Sequence, residues 1–369
     1  MTDTGLHALV DAYGESPLDA LDRGLLHLAP QARPDPADLG PDDVLVRVRS
    51  AQVGWVDLIM ASGQYQHMAA PPYTPGLEYA GDVAWAGDRA AARWPVGARV
   101  IADGFWTGPR SKGAHQRWGG FATWAVAPAG ALRPLPEGWS HDEGACFLGS
   151  YETAWHCLFA RGRLAAGETA LIHGASGATG LAAVHLAKRA GATVIATGRD
   201  PEKLAAVAAA GADHVVRTAS TDDGGVVPFR DEIKALTGGR GVDLVYDGVG
   251  GPISVESLRC VRFGARYVIV GWAATPDVAG GAGRRGAPNA NVLPTNLIMM
   301  KGLDVLGAPT AISTHADPSI REERLAALDA LVADGLRPHV GAAWPLTELL
   351  DALRAKWRSA FVGGGVVRP

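Results

Sequence analysis

The chain has little cysteine, and what it has is not arranged for cross-linking. Its cysteines are Cys146, Cys157 and Cys260, an odd number without a C-x-x-C pair. This argues against a disulfide framework and against a cysteine-rich zinc lobe. We expect all three to be buried, reduced thiols.

The chain also lacks an excess of basic residues and has no long apolar runs. The formal net charge is −4, from 34 Lys and Arg against 38 Asp and Glu, so there is no excess of cations to attract nucleic acid. No run approaches the roughly 18 apolar residues that suggest a membrane span, and the first residues do not read as a signal peptide. We therefore expect a cytoplasmic protein that acts on a small molecule, with neither membrane nor nucleic acid as a partner.

The 369 residues suggest two domains, because the pattern of short elements changes along the chain. Residues 1–130 contain β-like runs between Pro/Gly turns, as in a compact barrel-like domain. Residues 131–310 alternate strands and helices, which predicts a doubly wound parallel sheet, and the tail 311–369 is expected to complete the first domain. The fold class is therefore α/β. Residues 275–291 are Gly- and Ala-rich without periodicity and predict a mobile surface loop or lid.

The segment HGASGATG, residues 173–180, predicts a phosphate-binding turn. It follows a short apolar run and precedes a helix-like run at 181–190, giving the order strand, turn, helix. Ala175, Gly177 and Gly180 fit the A/G-x-G-x-x-G spacing, in which small residues let the backbone approach a pyrophosphate at a helix N-terminus. The residues assigned to cofactor binding are Ser176, Gly177, Ala178, Thr179 and Gly180. A purely structural turn is the alternative.

The residues after the second strand of this unit bear on the choice between NADH and NADPH. An acid there accepts hydrogen bonds from a ribose 2′-hydroxyl, whereas a cation accommodates a 2′-phosphate. Asp200 precedes Pro201, an ordinary helix start with Asp as the N-cap. Arg199 and Lys203 then remain for the phosphate, which predicts NADPH. Two solvated surface cations are the alternative.

Several segments together resemble the medium-chain dehydrogenase/reductases, in their zinc-independent quinone oxidoreductase branch. They are VGWVDLIMASGQY (53–65), PYTPGLEYAGDV (72–83), GGFATWAVAP (119–128), SYETAWHCL (150–158), the HGASGATG loop with its helix, and GGRGVDLVYDGVGG (238–251). The resemblance implies a GroES-like, β-rich catalytic domain made from both chain ends and a Rossmann domain inserted between them. It also implies a homodimer.

The resemblance further implies that zinc is not used. Zinc-using members carry Gly-His-Glu where this chain has Gly76-Leu77-Glu78, and a Cys ligand within the segment that here reads 53–57. The histidines form neither H-E-x-x-H nor a close Cys/His cluster, whereas tetrahedral zinc needs three or four converging ligands. Without a Lewis acid, hydride delivery to a quinone or an α,β-unsaturated carbonyl is favoured over alcohol oxidation.

Tyr65 is the candidate catalytic residue, because relatives carry a pocket tyrosine at its position. Its hydroxyl would bond the substrate carbonyl and stabilise enolate charge or supply a proton; the alternative is a turn tyrosine packed beside Gly63. Many relatives read Asn-x-x-Asp-x-x-x-Arg-x-Gly-x-Tyr here, but this chain has Gly54 and Ala61 in place of the Asn and the Arg. Asp57 is expected to be a structural acceptor.

The remaining cofactor contacts come from the resemblance and from strand ends. Thr153 occupies a family position near the nicotinamide, with helix capping as the alternative. Val249 follows the fourth strand, and Val270, Gly271 and Trp272 follow the fifth, at the carboxyl ends where open α/β sheets bind ligands. Ordinary loop packing is the alternative for all four.

The last predictions concern two histidines, two tryptophans and the alternative to an enzyme. His156 and His173 lie among apolar neighbours and are expected to be hydrogen-bonded core residues. The tryptophans at 106 and 118 lie in an extended loop, residues 105–120, and packing is their expected role. The alternative to an enzyme is a noncatalytic, crystallin-like NADPH-binding protein, which the altered motif before Tyr65 keeps open.

Overall fold

The computed structural model describes residues 4–274 and 291–369, and these divide into two compact units. The first unit contains the described residues up to Gly149 and from Leu331 onward, and the second contains those between Ser150 and Ala330. The predicted loop or lid at 275–291 lies, apart from Asn291, outside the described residues. No helix in the described ranges is long and apolar enough to span a bilayer.

The strands and helices are numbered in chain order. The strands are β1 (Thr4–Val10), β2 (Leu26–Ala32), β3 (Asp43–Gln52), β4 (Tyr79–Ala86), β5 (Arg99–Ala102), β6 (Trp124–Pro128), β7 (Leu132–Pro134), β8 (Thr169–Ile172), β9 (Thr193–Gly198), β10 (His214–Arg217), β11 (Val242–Asp247), β12 (Val261–Ile269), β13 (Asp304–Gly307), β14 (Val340–Pro345) and β15 (Gly364–Arg368). The helices are α1 (Pro17–Asp22), α2 (Trp55–Ala61), α3 (His141–Ala145), α4 (Leu148–Trp155), α5 (Ala178–Arg189), α6 (Pro201–Ala209), α7 (Arg230–Leu236), α8 (Pro252–Ser257), α9 (Thr295–Lys301), α10 (Thr310–Ala316), α11 (Arg321–Ala333) and α12 (Leu349–Trp357).

The first unit is built around β3. Its sheet runs β14-β15-β3-β4-β5-β7, with β6 also paired to β3, and β1 and β2 form a separate antiparallel pair. Valines of β3 at positions 44, 46 and 48 face the main core, while the arginines between and after them are exposed, as the two-residue period of a strand requires. β15, in the tail that was expected to complete the first domain, pairs antiparallel with β3, Val366 opposite Gln52.

The second unit is a doubly wound parallel sheet, as predicted. Its strand order is β10-β9-β8-β11-β12-β13, and the paired strands run parallel. β8 and β11 are buried along their whole length, because helices cover both faces of such a sheet. The order reverses between β8 and β11, and ligands of open α/β sheets bind outside the carboxyl ends at this point.

The composition suggests divisions after residues 130 and 310, whereas the compact units divide after Gly149 and Ala330. β7 pairs with β5, which keeps the chain beyond residue 131 with the first sheet.

A buried ion-pair cluster attaches α11 to α4 within the second unit. Arg321 donates two hydrogen bonds to the carboxylate of Glu152, at 2.7 and 2.6 Å, and Arg324 donates a third at 3.2 Å. All three side chains are almost completely buried, so loss of one partner would leave an uncompensated charge. This cluster holds the start of α11 on α4 within the second unit.

Candidate functional site

The predicted phosphate-binding turn connects β8 to α5, where the strand order reverses. Gly177 is the N-cap of α5 and has no side chain to bond the free amides of the first turn. The N–H groups of Ala178, Thr179 and Gly180 therefore lack acceptors within the helix, as at any helix start. Ser176 to Thr179 are partly exposed. These amides and the positive end of the helix dipole form a site suited to an anion.

The glycines of this turn are required to different degrees. A Cβ at Gly180 would lie 2.2 Å from the carbonyl oxygen of Gly174 and 2.9 Å from the Cα of Ala175, so the helix can approach the loop only if residue 180 is Gly. A Cβ at Gly177 would lie 3.3 Å from the same oxygen, a tight but adjustable contact. Gly174 has φ of +65°, a conformation that other residues rarely adopt.

Asp247, at the end of β11, organises the neighbouring loop. Its Oδ1 accepts hydrogen bonds from the N–H groups of Val249 and Gly250 at 2.8 and 2.9 Å. Its Oδ2 accepts from the hydroxyls of Ser254, at 2.6 Å, and Tyr267. The motif at 238–251 contains Asp247, but its role in this loop was not predicted. The signal in the sequence was a carboxylate at a strand end, followed by three glycines within four residues.

The loop after β11 and the segment after β12 lie side by side. The Cγ2 of Val249 is 3.2 Å from where a Cβ of Gly174 would lie, and a Cβ at Gly250 would contact the Cα of Trp272 at the same distance. The amides of Val270 and Gly271 donate to the carbonyl of Asp247, at 2.8 and 3.2 Å. Val249, Val270, Gly271 and Trp272 are thus brought together with the phosphate-loop candidate, and the Trp272 side chain is 47% exposed.

The two cations predicted for a 2′-phosphate differ in their surroundings. Asp200 caps α6 as expected, accepting from the amides of Glu202 and Lys203, and the Lys203 Nζ is 3.4 Å from the second Asp200 oxygen. Arg199 is exposed and forms no ion pair with any described residue. Sequence reasoning missed Arg217, at the end of β10, whose Nε donates to the Arg199 carbonyl at 3.2 Å.

Thr153 lies inside α4, at its sixth residue, and is partly exposed. The alternative of helix capping is therefore excluded, because a cap lies at the helix end. Its hydroxyl remains a candidate for contact with the cofactor.

The two histidines behave differently. The His173 Nδ1 lies 2.7 Å from the Thr197 hydroxyl and its Nε2 lies 2.6 Å from that of Ser257. Because Ser257 donates its own proton to the carbonyl of Ile253, Nε2 carries the hydrogen and Nδ1 accepts from Thr197. Burial lowers the pKa of His173, against the opposing effect of Asp247. A hydrogen-bonded core histidine is confirmed here.

The same prediction is wrong for His156. The residue is buried, but neither ring nitrogen has a hydrogen-bond partner within the described ranges. The neighbouring guanidinium of Arg324 is directed to Glu152 instead. Burial, and then Arg324 and Arg161, lower the pKa of His156 to about 4, so the ring is neutral at pH 7.

Tyr65 follows α2 in the first unit. Gly63, with φ of +71°, ends the helix, and the partly exposed Tyr65 ring makes an edge contact with His67, with centroids 6.2 Å apart. The Tyr65 hydroxyl has no hydrogen-bond partner among the described residues. A phenol hydroxyl without a partner in the protein can donate its hydrogen bond to a ligand.

Asp57, near the start of α2, is a structural acceptor, as predicted. One oxygen accepts from the N–H of Gly54 at 3.0 Å, and the other accepts from those of Gly76 and Leu77 at 3.0 and 3.1 Å. Burial raises the pKa of Asp57 to about 6, against the lowering effect of these amides and of Arg110. The carboxylate holds the backbone at Gly76 and Leu77 in place, which is a structural role and not a catalytic one.

Loop 105–120 is folded onto the first unit. Phe105, Thr107, Arg110 and Ser111 are buried, and the Arg110 guanidinium lies 4.1 Å above the Phe105 ring while its Nε donates to the Gly104 carbonyl at 3.1 Å. The electrostatic effect of Arg110 reaches both Asp57 and His67. The positive charge of Arg110, from this loop, therefore acts near the segment before Tyr65, in which Ala61 stands where many relatives have an arginine.

The positions of the family zinc ligands do not offer a zinc donor set. Leu77 is buried in the position of the histidine, and Asp57, which accepts from the Leu77 amide, is committed to three backbone amides. Across the described ranges there is no group of three or more His, Cys, Asp or Glu residues that could hold a metal ion. The three cysteines are buried and unpaired.

Two family models match the chain. Residues 40–137 match the alcohol dehydrogenase GroES-like domain, and residues 178–317 match the zinc-binding dehydrogenase domain. They correspond to the β-rich first unit and the parallel sheet of the second.

Individual proteins are also similar. The chain is 31% identical over 320 residues to quinone oxidoreductase-like protein 2 of Mus musculus, covering 86% of this chain and 82% of that protein. Among solved structures, a probable oxidoreductase from Mycobacterium abscessus superposes over the full length of both chains with a TM-score of 0.78 and 26% identity. The quinone oxidoreductase from Thermus thermophilus, solved also in complex with NADPH, has a TM-score of 0.73 and 28% identity, covering 99% of this chain and 100% of that one.

Proposed function

This chain belongs to the medium-chain dehydrogenase/reductase superfamily, in its quinone oxidoreductase branch, and from that membership we propose that it is a zinc-independent, NADPH-dependent reductase of quinones or α,β-unsaturated carbonyl compounds. The observation that carries the proposal is the glycine-built turn between β8 and α5, which leaves amides at the start of α5 without acceptors and which contacts Val249, at the end of the adjacent strand, through Gly174. NADPH is bound by the Thermus thermophilus relative, and the cradle that Gly180 keeps open here suits its pyrophosphate.

When bound, NADPH would supply the hydride. Residues of this chain would bind and orient the cofactor. The amides of Ala178 and Thr179 would hold the pyrophosphate, and Thr153 and the backbone at 270–272 would orient the nicotinamide. The Tyr65 hydroxyl donates to the substrate carbonyl oxygen, where negative charge develops as the alkene or quinone is reduced. Such an acceptor withdraws electrons through its own carbonyl, so the reaction does not depend on a metal.

The activity is tested by mixing the purified chain with NADPH and a panel of quinones and enones and following nicotinamide absorbance. We expect turnover with at least one class and no loss on treatment with a chelator. Tight NADPH binding without turnover across the panel would instead favour the noncatalytic, crystallin-like alternative. Activity lost with chelator and restored by zinc would overturn the zinc-independent mechanism.

We assign the 2′-phosphate chiefly to Arg199 and Arg217, because Lys203 is already close to Asp200. A charged hydrogen bond contributes about 1.5 to 3 kcal/mol, or roughly 10- to 150-fold in affinity. Replacing either Arg199 or Arg217 by Ala should weaken NADPH binding by about that factor and leave NADH nearly unchanged, whereas Lys203→Ala should have a smaller effect. Fluorescence titration with both cofactors measures this, and an equal loss for NADPH and NADH would contradict the assignment.

We further propose a homodimer formed through β13. This strand lies at the end of the six-stranded sheet, and Phe263, Met299 and Met300 near it are more than half exposed. Unpaired strand edges and exposed apolar patches favour self-association. Met299→Glu together with Phe263→Glu should shift the mass in sedimentation from dimer to monomer; a wild-type monomer at micromolar concentration would refute the proposal.

A further inference from the structure

A cleft of about 590 Å³ lies on the first unit, and none of its lining residues belongs to the nucleotide-site candidate of the second. Four arginines line it, at positions 33, 47, 49 and 99, and Asp82 is its one carboxylate. The lining thus has an excess of three positive charges, on a chain whose net charge is −4. Such a local reversal of sign concentrates anions at the cleft.

Strand register fixes the arrangement of this cleft. Arg99 on β5 lies opposite Asp82 on β4, Asp82 lies opposite Arg47 on β3, and Arg47 lies opposite Trp124 on β6. Residues that pair directly across a sheet share a face, and neighbouring strands are about 4.8 Å apart, so the Cα atoms of Arg47 and Arg99 are separated by roughly 10 Å. The cationic row is therefore set by the backbone.

Trp124 lies beneath two of the guanidinium groups. The Cζ of Arg33 is 5.2 Å from the ring centroid and that of Arg47 is 5.6 Å from it. The Trp124 side chain is buried, and its Nε1 has no hydrogen-bond partner among the described residues. Neither Arg33 nor Arg47 pairs with a carboxylate in the part of the chain that the structure describes. Two like charges over one ring repel each other, and an anion shared between them would relieve the repulsion.

The carboxylate of the cleft is already occupied. Asp82 accepts from the Arg49 Nε at 2.7 Å and contacts the His141 Nε2 at 2.9 Å. Burial raises the pKa of Asp82, but Arg49 and His141 outweigh it and hold the pKa below its usual value. Burial lowers the pKa of His141 despite Asp82. Within residues 4–274 and 291–369, Arg33, Arg47 and Arg99 are thus left without a charged partner, and Arg99 donates one hydrogen bond to the backbone carbonyl of Trp139 at 2.7 Å.

We propose that this cleft binds a small anion carrying two or more phosphate groups, one of them held between Arg33 and Arg47 over Trp124 and another directed toward Arg99. Guanidinium groups match phosphate oxygens two at a time. A single phosphate or carboxylate would span only part of the roughly 10 Å between strands β3 and β5. The site shares no residue with the nucleotide cradle and does not depend on the proposed reductase activity.

The probe is sodium tripolyphosphate, titrated calorimetrically into the full chain without NADPH, because NADPH itself carries several phosphate groups and would compete for the cleft. Wild type should show saturable binding that weakens as salt is raised. Arg33→Gln with Arg47→Gln should weaken binding at least 10-fold and leave NADPH affinity unchanged. Arg47→Lys alone should weaken tripolyphosphate binding several-fold although the charge is kept. Lysine lacks the planar guanidinium group that stacks on an aromatic ring and donates two parallel hydrogen bonds to a phosphate.

Arg89→Gln is the matched control, since it removes an exposed arginine of the same unit that pairs with Asp42. It should bind tripolyphosphate like the wild type. The proposal is overturned if wild type shows no saturable binding, or if Arg89→Gln loses as much affinity as the double variant, which would reduce the effect to general surface charge. Wild-type affinity for tripolyphosphate in Arg47→Lys would likewise refute a phosphate site formed by guanidinium groups over Trp124.

Discussion

The phosphate-loop candidate and the segment around Tyr65 present their functional atoms in opposite ways. In the second unit the donors are backbone amides at the start of α5, held in place by close contacts that only glycine permits. In the first unit the donor is one side-chain hydroxyl on a turn after α2, in contact with the His67 ring.

The difference predicts how each region responds to change. A backbone site fails when any residue of the turn acquires a side chain that moves it, whatever the chemistry of that side chain. A side-chain site fails only when the functional group itself is removed, and solvent can then replace part of its effect. Substitutions in the second unit should therefore have the larger effects on binding, and those in the first unit should act on turnover.

The largest effect is expected from Gly180→Ala. The new Cβ would overlap the Gly174 carbonyl, 2.2 Å away, so the turn must shift and its amides lose their alignment with the pyrophosphate. Losing two charge-assisted hydrogen bonds corresponds to about 100-fold or more in NADPH affinity. Gly177→Ala, at 3.3 Å from the same oxygen, is the control and should cost only a few-fold in the same titration. Equal losses would show that the backbone contact does not govern binding.

Tyr65→Phe should have the next largest effect. Loss of an oxyanion-type donor is expected to lower enone turnover by about 10- to 100-fold, with water replacing part of the lost interaction. NADPH affinity should be unchanged, because the interaction is made mainly in the transition state. Quinones should suffer less, since a hydroquinone anion spreads its charge over an aromatic ring. Steady-state kinetics on both classes tests this, and unchanged enone turnover would leave Tyr65 a packing residue.

The smallest effect is a pH dependence from Asp57. Its pKa of about 6 in the folded chain lies above the usual value of about 3.9, so the folded state binds more protons between those pH values and this contribution to stability falls as the pH rises through 6. Asp57→Asn lacks the titration. Its deficit relative to wild type should therefore be larger at pH 5 than at pH 7.5, by about 1 kcal/mol. Urea unfolding at both pH values measures it, with the exposed Asp88→Asn as control; a constant deficit would contradict the raised pKa.

The contrast between the units also explains what could be predicted from the sequence. Glycine spacing between a strand and a helix reflects steric limits that hold in any chain, so the turn, Asp200 as the cap of α6 and the parallel sheet were all predictable. The tail strand was predictable as well, because its apolar pattern needs a sheet to join.

Other features depend on residues distant in the sequence. Arg217 lies near Arg199 only because β10 pairs with β9, and the folding of loop 105–120 onto the first unit follows no periodic pattern. The lack of partners at His156 among the described residues could not be predicted, since an apolar neighbourhood in sequence does not show where the Arg324 guanidinium points. The contacts of β7 and of the Glu152 cluster could not be predicted either, because β7 is too short and the Glu152 cluster too long-range to be seen in composition.

The pairing of β15 with β3 has a consequence for how the protein is made. It joins residues more than 300 positions apart, whereas the described residues of the second unit all lie between Ser150 and Ala330. A nascent chain can therefore finish the parallel sheet while the first sheet still lacks its last strands, and until translation reaches residue 364 the end of β3 at Ala51 and Gln52 lacks its β15 partner, while β6 already pairs with the first half of β3. That interval is when the protein most needs a chaperone or rapid synthesis to avoid pairing with other chains.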